Sequence, residues 1–172
     1  MNLSEVTFTP AEAQKLWDIS PGMFNSYRSR GQLDMTQRKA GKHMYSGFDV
    51  IQMTQLGIQM KLVKEFYFPL TVAKIMAAEA AEEFERHYES ISPNQRNIPN
   101  MPYVVVPGDP PKWFKVGLND TFSKIDERVG STQWVVLDVQ PICDQVFNFM
   151  IDKAGDREKY ERAKKREKTK GN

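Results

Sequence analysis

Apolar positions in the first half of the chain recur at helical spacing, in short runs broken by polar turns. Thr9-Pro10-Ala11-Glu12 reads as a capping box with proline at the first helical position, and Ala13, Leu16 and Trp17 then form one apolar face. Asp18-Ile19-Ser20-Pro21 stops this helix and starts a second, in which Phe24 and Tyr27 are core positions and Gly31 is the end. Two short helices around an apolar turn residue, Ile19, form a helix-turn-helix pattern; a plain αα-hairpin with no ligand fits the same residues. Leu33 to Tyr45 reads as two extended segments around the basic turn Lys39-Ala40-Gly41-Lys42. Ser46-Gly47-Phe48-Asp49 is a second capping-box pattern, opening a third helix with Val50, Met53, Leu56, Gly57, Met60 and Val63 on its apolar face. A fourth helix begins near Pro69 and aligns Val72, Ile75, Met76, Ala80, Phe84 and Tyr88.

The second half changes character. Residues 92–102, SPNQRNIPNMP, lack periodicity and read as a linker. Tyr103–Val106, Trp113–Val116 and Trp134–Val139 are β-prone, and a helical pattern opens at Pro141. The expected organisation is residues 1–91 as one unit, 92–102 as linker, 103–154 as a small α+β dimerisation or interaction region, and 155–172 as a charged tail. The expected fold class is mainly α with a small β component: a winged helix-turn-helix followed by the α+β region.

Composition narrows the function classes. The chain of 172 residues is 40% apolar and 27% charged, ordinary globular proportions. A single cysteine, Cys143, rules out an intramolecular disulfide and a thiolate metal centre. Its place in an apolar helix suggests a small buried side chain. No run reaches the length of a membrane span, and the N-terminus lacks the pattern of a signal peptide, which implies a cytoplasmic protein. His43 and His87 have no partner set for nucleophilic or metal catalysis, and no Gly-rich phosphate loop is present, so neither an enzyme nor a cofactor is expected. Trp113, Phe114, Phe122, Trp134, Phe147 and Phe149 read as ordinary core or as the lining of an aromatic pocket.

Charge is distributed unevenly. Between Ser20 and Lys64, the cations Arg28, Arg30, Arg38, Lys39, Lys42, Lys61 and Lys64 outweigh Asp34 and Asp49, leaving +5. Between Met76 and Ser90 the balance is −4. A basic face coinciding with the second helix and the hairpin points to duplex DNA, because phosphate neutralisation supplies most non-specific affinity. The tail, with eight cations against four acids, reads as a solvated helix end or as an auxiliary nucleic-acid arm.

The order of elements resembles the winged helix-turn-helix of MerR-type regulators over residues 8–76. The segments that carry the resemblance are FTPAEAQKLWDIS, MFNSYRSRGQL, GKHMYSGFD and VIQMTQLGIQMKLVKEFYFPLTVAKI, with Leu70 and Ile75 as apolar anchors of the fourth helix. Asn25 and His43 stand where the family usually has arginine, and Phe66-Tyr67-Phe68-Pro69 replaces a glycine turn. The resemblance implies a sequence-specific DNA-binding transcriptional regulator, associated with the nucleoid and acting as a homodimer. RNA polymerase or another regulatory protein would be a further partner. It places Gly22, Met23 and Ser26 nearest the base edges in the major groove, Arg28, Arg30, Arg38, Lys39, Lys42 and His43 along the backbone, and Asn25 within reach of phosphate oxygens as a neutral donor. A different class of function, an adaptor, antiactivator or packaging protein of a phage or mobile element, would use the same unit to bind protein.

Overall fold

A computed structural model describes residues 6–40, 43–90, 102–106, 112–115, 124, 127, 135–153 and 155; side chains are not described at 38–40, 43–45, 83–90, 102–106, 112–115, 135 and 136. The chain is mainly helical with a small β component. Its order is α1 (Pro10–Leu16), α2 (Pro21–Ser29), β1 (Thr36–Ala40), β2 (His43–Gly47), α3 (Val50–Phe66), α4 (Leu70–Ser90), β3 (Pro102–Val106), β4 (Lys112–Lys115) and β5 (Val135–Asp138). A last helix, α5, spans residues 140–153.

Local chemistry sets the helix starts. Thr9 accepts from the Glu12 N–H at 3.2 Å while the Glu12 carboxylate accepts from the Thr9 N–H at 2.6 Å, a reciprocal capping box. Ser20 caps α2 through the Met23 N–H, with Pro21 where no donor is needed. The cap of α3 is Asp49, paired reciprocally with Gln52 at 2.8 and 3.1 Å. The box thus lies three residues beyond the Ser46–Asp49 pattern, because Ser46 is paired with Gln37 in the hairpin.

Strands β1 and β2 pair antiparallel, Thr36 opposite Gly47 and Ala40 opposite His43. The other sheet has the order β4-β3-β5, antiparallel throughout. The expected linker at 92–102 lies, except for Pro102, outside the described residues, as do Phe122, Trp134 and, apart from Gly155, the tail.

Helix α3 is the axis of the core. Met53, Leu56, Ile58, Met60 and Leu62 are all buried, on every side of the helix, as expected of a helix enclosed by neighbours. One contiguous cluster joins Phe8, Trp17, Phe24 and Phe48 from the N-terminal elements to Leu137, Val139, Ile142, Cys143, Val146 and Met150. The core therefore draws on residues from both sides of 92–102. Burial, with the neighbouring charges of Asp144 and Asp138, pushes the Cys143 thiol up to about 12, which fits an inert packed side chain.

On α4 the buried face is Ala73, Met76, Ala77, Ala80 and Ala81, at helical spacing. Ile75 is turned away from it and is 52% exposed, so the expected anchor role falls to Met76 and the alanines. Small alanines let α4 lie close to α3.

Lys153 fastens α5 to the start of α1. Its ammonium donates to the Thr7 carbonyl at 2.6 Å and to both Glu12 carboxylate oxygens at 2.7 and 2.8 Å, and lies 5.6 Å from the centre of the Phe8 ring. Burial alone raises the Glu12 pKa, but the hydrogen bonds from Lys153 and Thr9 and the charge of Lys153 outweigh it, so the carboxyl sits below its ordinary 4.5. A depressed carboxyl stabilises the fold fully above its unfolded value and loses that contribution as pH falls through the folded one. Melting temperatures of the wild type and Lys153→Met are therefore expected to differ most near neutral pH and to draw together as pH falls below the ordinary carboxyl value and Glu12 takes up its proton.

Candidate nucleic-acid interface

Two lysines from the helix pair behind α2 fix its position. Lys64, near the end of α3, donates to the Trp17 carbonyl at 3.0 Å and the Asp18 carbonyl at 2.7 Å, satisfying the C-terminal end of α1 where Asp18 takes a left-handed φ of 49°. Lys74 of α4 donates to the Gly31 carbonyl at 3.0 Å, beyond the end of α2, and pairs with Asp34 at 2.8 Å. A cation at a helix C-terminus is favourable for the backbone dipole as well as for the unpaired carbonyls. From within, Ile19 and Phe24 anchor the turn and the helix, with Phe24 edge-on to Phe48 at 6.2 Å.

The outer face of α2 is what remains. Gly22, Met23, Asn25, Arg28 and Arg30 are exposed, and Ser26 is half-buried. Among the described residues, nothing lies within 4 Å of where a Gly22 side chain would begin. Arg28 and Arg30 make no ion pair among the described residues. Tyr27 is half-buried against the core, whereas Phe24 is 1% exposed.

The hairpin β1–β2 follows α2 after six residues, Arg30 to Met35. Arg38, Lys39 and His43 lie on its strands with their side chains outside the described residues, as does Lys42 entirely. Its base is tied to α3: Thr36 and Gln52 exchange side-chain hydrogen bonds at 3.1 and 2.9 Å.

The seven cations counted from sequence do not all serve this face. Lys64 is spent on the α1–α2 turn, and Lys61 pairs with Glu65 at 3.4 Å one helical turn away. The exposed charge of α2 is that of Arg28 and Arg30. Sequence reasoning missed the lysine pair and the buried glutamines Gln55 and Gln59; the spacing of Gln52, Gln55 and Gln59 on one α3 face was their available signal.

A separate groove of about 240 Å³ lies between α1, α3 and α5, with Trp17, Met60 and Ile142 among its walls and Lys61 and Lys64 at its rim. Trp17 Nε1 donates to the Met53 carbonyl at 3.2 Å, so its polar atom is already used. The described residues contain no group of His, Cys, Asp and Glu suited to a metal ion and no helix long and apolar enough to cross a membrane. No protein-family profile and no curated protein matches the chain.

Proposed function

We propose that this protein binds duplex DNA as a sequence-specific transcriptional regulator of MerR-like type, with α2 in the major groove and the hairpin as a wing on the phosphates. The observation that carries the reading is the outer face of α2: exposed, uncluttered at its start, ending in Arg28 and the capping Arg30, which make no ion pair among the described residues, and followed six residues later by an antiparallel hairpin with a basic sequence around its tip. Gly22 and Pro21 let the helix start approach base edges closely, Met23 offers an apolar contact of the kind a thymine methyl accepts, and Asn25 supplies the paired donor and acceptor that adenine presents. Arg28, Arg30 and the wing cations Arg38, Lys39, Lys42 and His43 hold the backbone. Two copies on a near-palindromic site would give useful selectivity, since one such unit offers few contacts.

Selection of bound fragments from random duplexes tests the reading. A defined preferred site is expected, and Met23→Ala or Ser26→Ala should change the preferred bases while leaving the melting temperature unaltered. Recovery of fragments with no shared sequence contradicts it. Exposed Tyr67, 87% accessible in a left-handed backbone conformation at the end of α3, and the exposed Ile75 of α4 favour a second role in protein contact.

A further inference from the structure

The connection from α2 to β1, residues 30–35, has no helix or strand of its own. Gln55 and Gln59 of α3 nevertheless bond to two of its polar groups, and Gln52 of the same helix face bonds to the strand residue that follows. Gln32 Oε1 is buried without a partner among the described residues. Gln52, Gln55 and Gln59 are spaced by three and four residues on α3, so they stack along a single stripe. Gln59 donates to the Gln32 carbonyl at 3.2 Å, Gln55 to the Asp34 carboxylate at 2.7 Å, and Gln52 exchanges hydrogen bonds with Thr36 at the first residue of β1. Lys74 closes the set from α4, reaching the Gly31 carbonyl and the other Asp34 oxygen. Gln55 and Gln59 are buried, and the seam they share with Leu33, Asp34 and Phe48 leaves no room for a water molecule. The hydrogen bonds are direct, and a buried Gln55 or Gln59 amide that loses its partner has no water to replace it.

An apolar stripe in the same place would bury as much surface, but it would let the connection slide. Directional hydrogen bonds specify one position for each of Gln32, Asp34 and Thr36. These residues link the last turn of α2 to the first pair of the hairpin, so whatever fixes them fixes the angle and distance between helix and hairpin. We infer that Gln52, Gln55, Gln59 and Lys74 are positioning residues that set this relation, and that through it they govern discrimination between duplex sequences while leaving phosphate attraction almost untouched. The inference rests on the proposed DNA-binding reading. Preorganised contacts discriminate because a wrong sequence cannot be accommodated by adjustment.

The test uses the full chain with Lys74→Met, Gln55→Met and the conservative Lys74→Arg. Three quantities are measured: melting temperature, amide hydrogen exchange at Leu33–Thr36, and the affinity ratio between the selected duplex and a scrambled one. Lys74→Met and Gln55→Met are expected to speed exchange at Leu33–Thr36 at least tenfold relative to α3, and to lower the affinity ratio about tenfold. Affinity for the scrambled duplex should stay within about twofold, and Lys74→Arg should restore much of both effects. Unchanged exchange overturns the inference, and so does faster exchange with an unchanged ratio. A general loss of stability that speeds exchange in α3 equally also overturns it, since that is the mark of a merely structural role. If the wild type binds neither duplex, the DNA reading fails and takes the selectivity claim with it, while selective exchange at Leu33–Thr36 would still support the positioning role.

Discussion

Gly57→Ala is expected to lower the melting temperature by about 5 °C, the reverse of the usual effect of this change in a helix. Alanine in a helix interior is normally favoured over glycine by about 1 kcal/mol. At Gly57, however, a Cβ would stand 2.6 Å from Ile142 Cγ2 and 2.6 and 2.7 Å from two Trp17 ring carbons. The indole cannot swing aside, because Nε1 is tied to Met53 and the ring is 9% exposed within the core. Ile142 belongs to α5, which Lys153 holds against α1. Overpacking of this kind costs about 1–3 kcal/mol beyond the propensity gain, and valine or leucine should cost more. Gly155→Ala is the control: it is also helical but has nothing within 4 Å among the described residues, so it should be neutral or stabilising. A Gly57→Ala protein that melts at or above the wild-type temperature would contradict the packing of α5 on α3.

Removal of residues 103–172 should abolish cooperative folding of what remains. Leu137, Val139, Ile142, Val146 and Met150 are each 5% exposed or less, in a cluster with Phe8, Trp17 and Met53. Burial of such side chains contributes roughly 1.5–3 kcal/mol apiece, so the five together supply about 8–15 kcal/mol, the size of a whole domain's net stability. The truncated chain would gain back the ordering entropy of the lost segment but would leave Trp17 and the Gly57 surface uncovered. The expected result is loss of a sharp thermal transition and binding of a hydrophobic dye by residues 1–102. A soluble fragment with a cooperative melt would show that α5 is dispensable.

Much of the N-terminal architecture was legible because it is written in local chemistry. Thr9 and Ser20 announce helix starts through hydrogen bonds made within three residues, Pro21 stands where no N–H donor is needed, and Gly31 marks the end of α2 with a φ of 67°. Residues whose role depends on distant partners were not legible. Lys64 and Lys74 look like solvated charges until the fold brings them 46 and 43 residues back to Asp18 and Gly31. Gln55 and Gln59 have the polar character of a solvated helix face, yet α3 is buried all round from Met53 to Met60, since α5 covers one flank and the 30–35 connection another. Ile75 followed the apolar spacing of α4 but belongs to the opposite face, because alanines counted weakly in the pattern make the real contact. Tyr67 stands in a left-handed conformation where the resemblance calls for glycine, a departure visible in sequence whose backbone consequence was not. For the candidate DNA-binding residues, the sequence identified candidates by type, and the fold separates those left exposed on α2 from the lysines turned to structural use.

In the proposed complex the outer face of α2 meets the phosphate backbone and base edges of duplex DNA. The most direct test measures affinity for the selected duplex between about 50 and 200 mM salt, for the wild type and for Arg28→Ala/Arg30→Ala. Both arginines are exposed and unpaired among the described residues, so the double variant should melt as the wild type does. The wild type is expected to lose affinity steeply and log-linearly with salt, and the double variant to bind more weakly with a slope shallower by about 2, one for each phosphate contact removed. Binding that ignores salt, or a double variant with the wild-type slope, would contradict the claim.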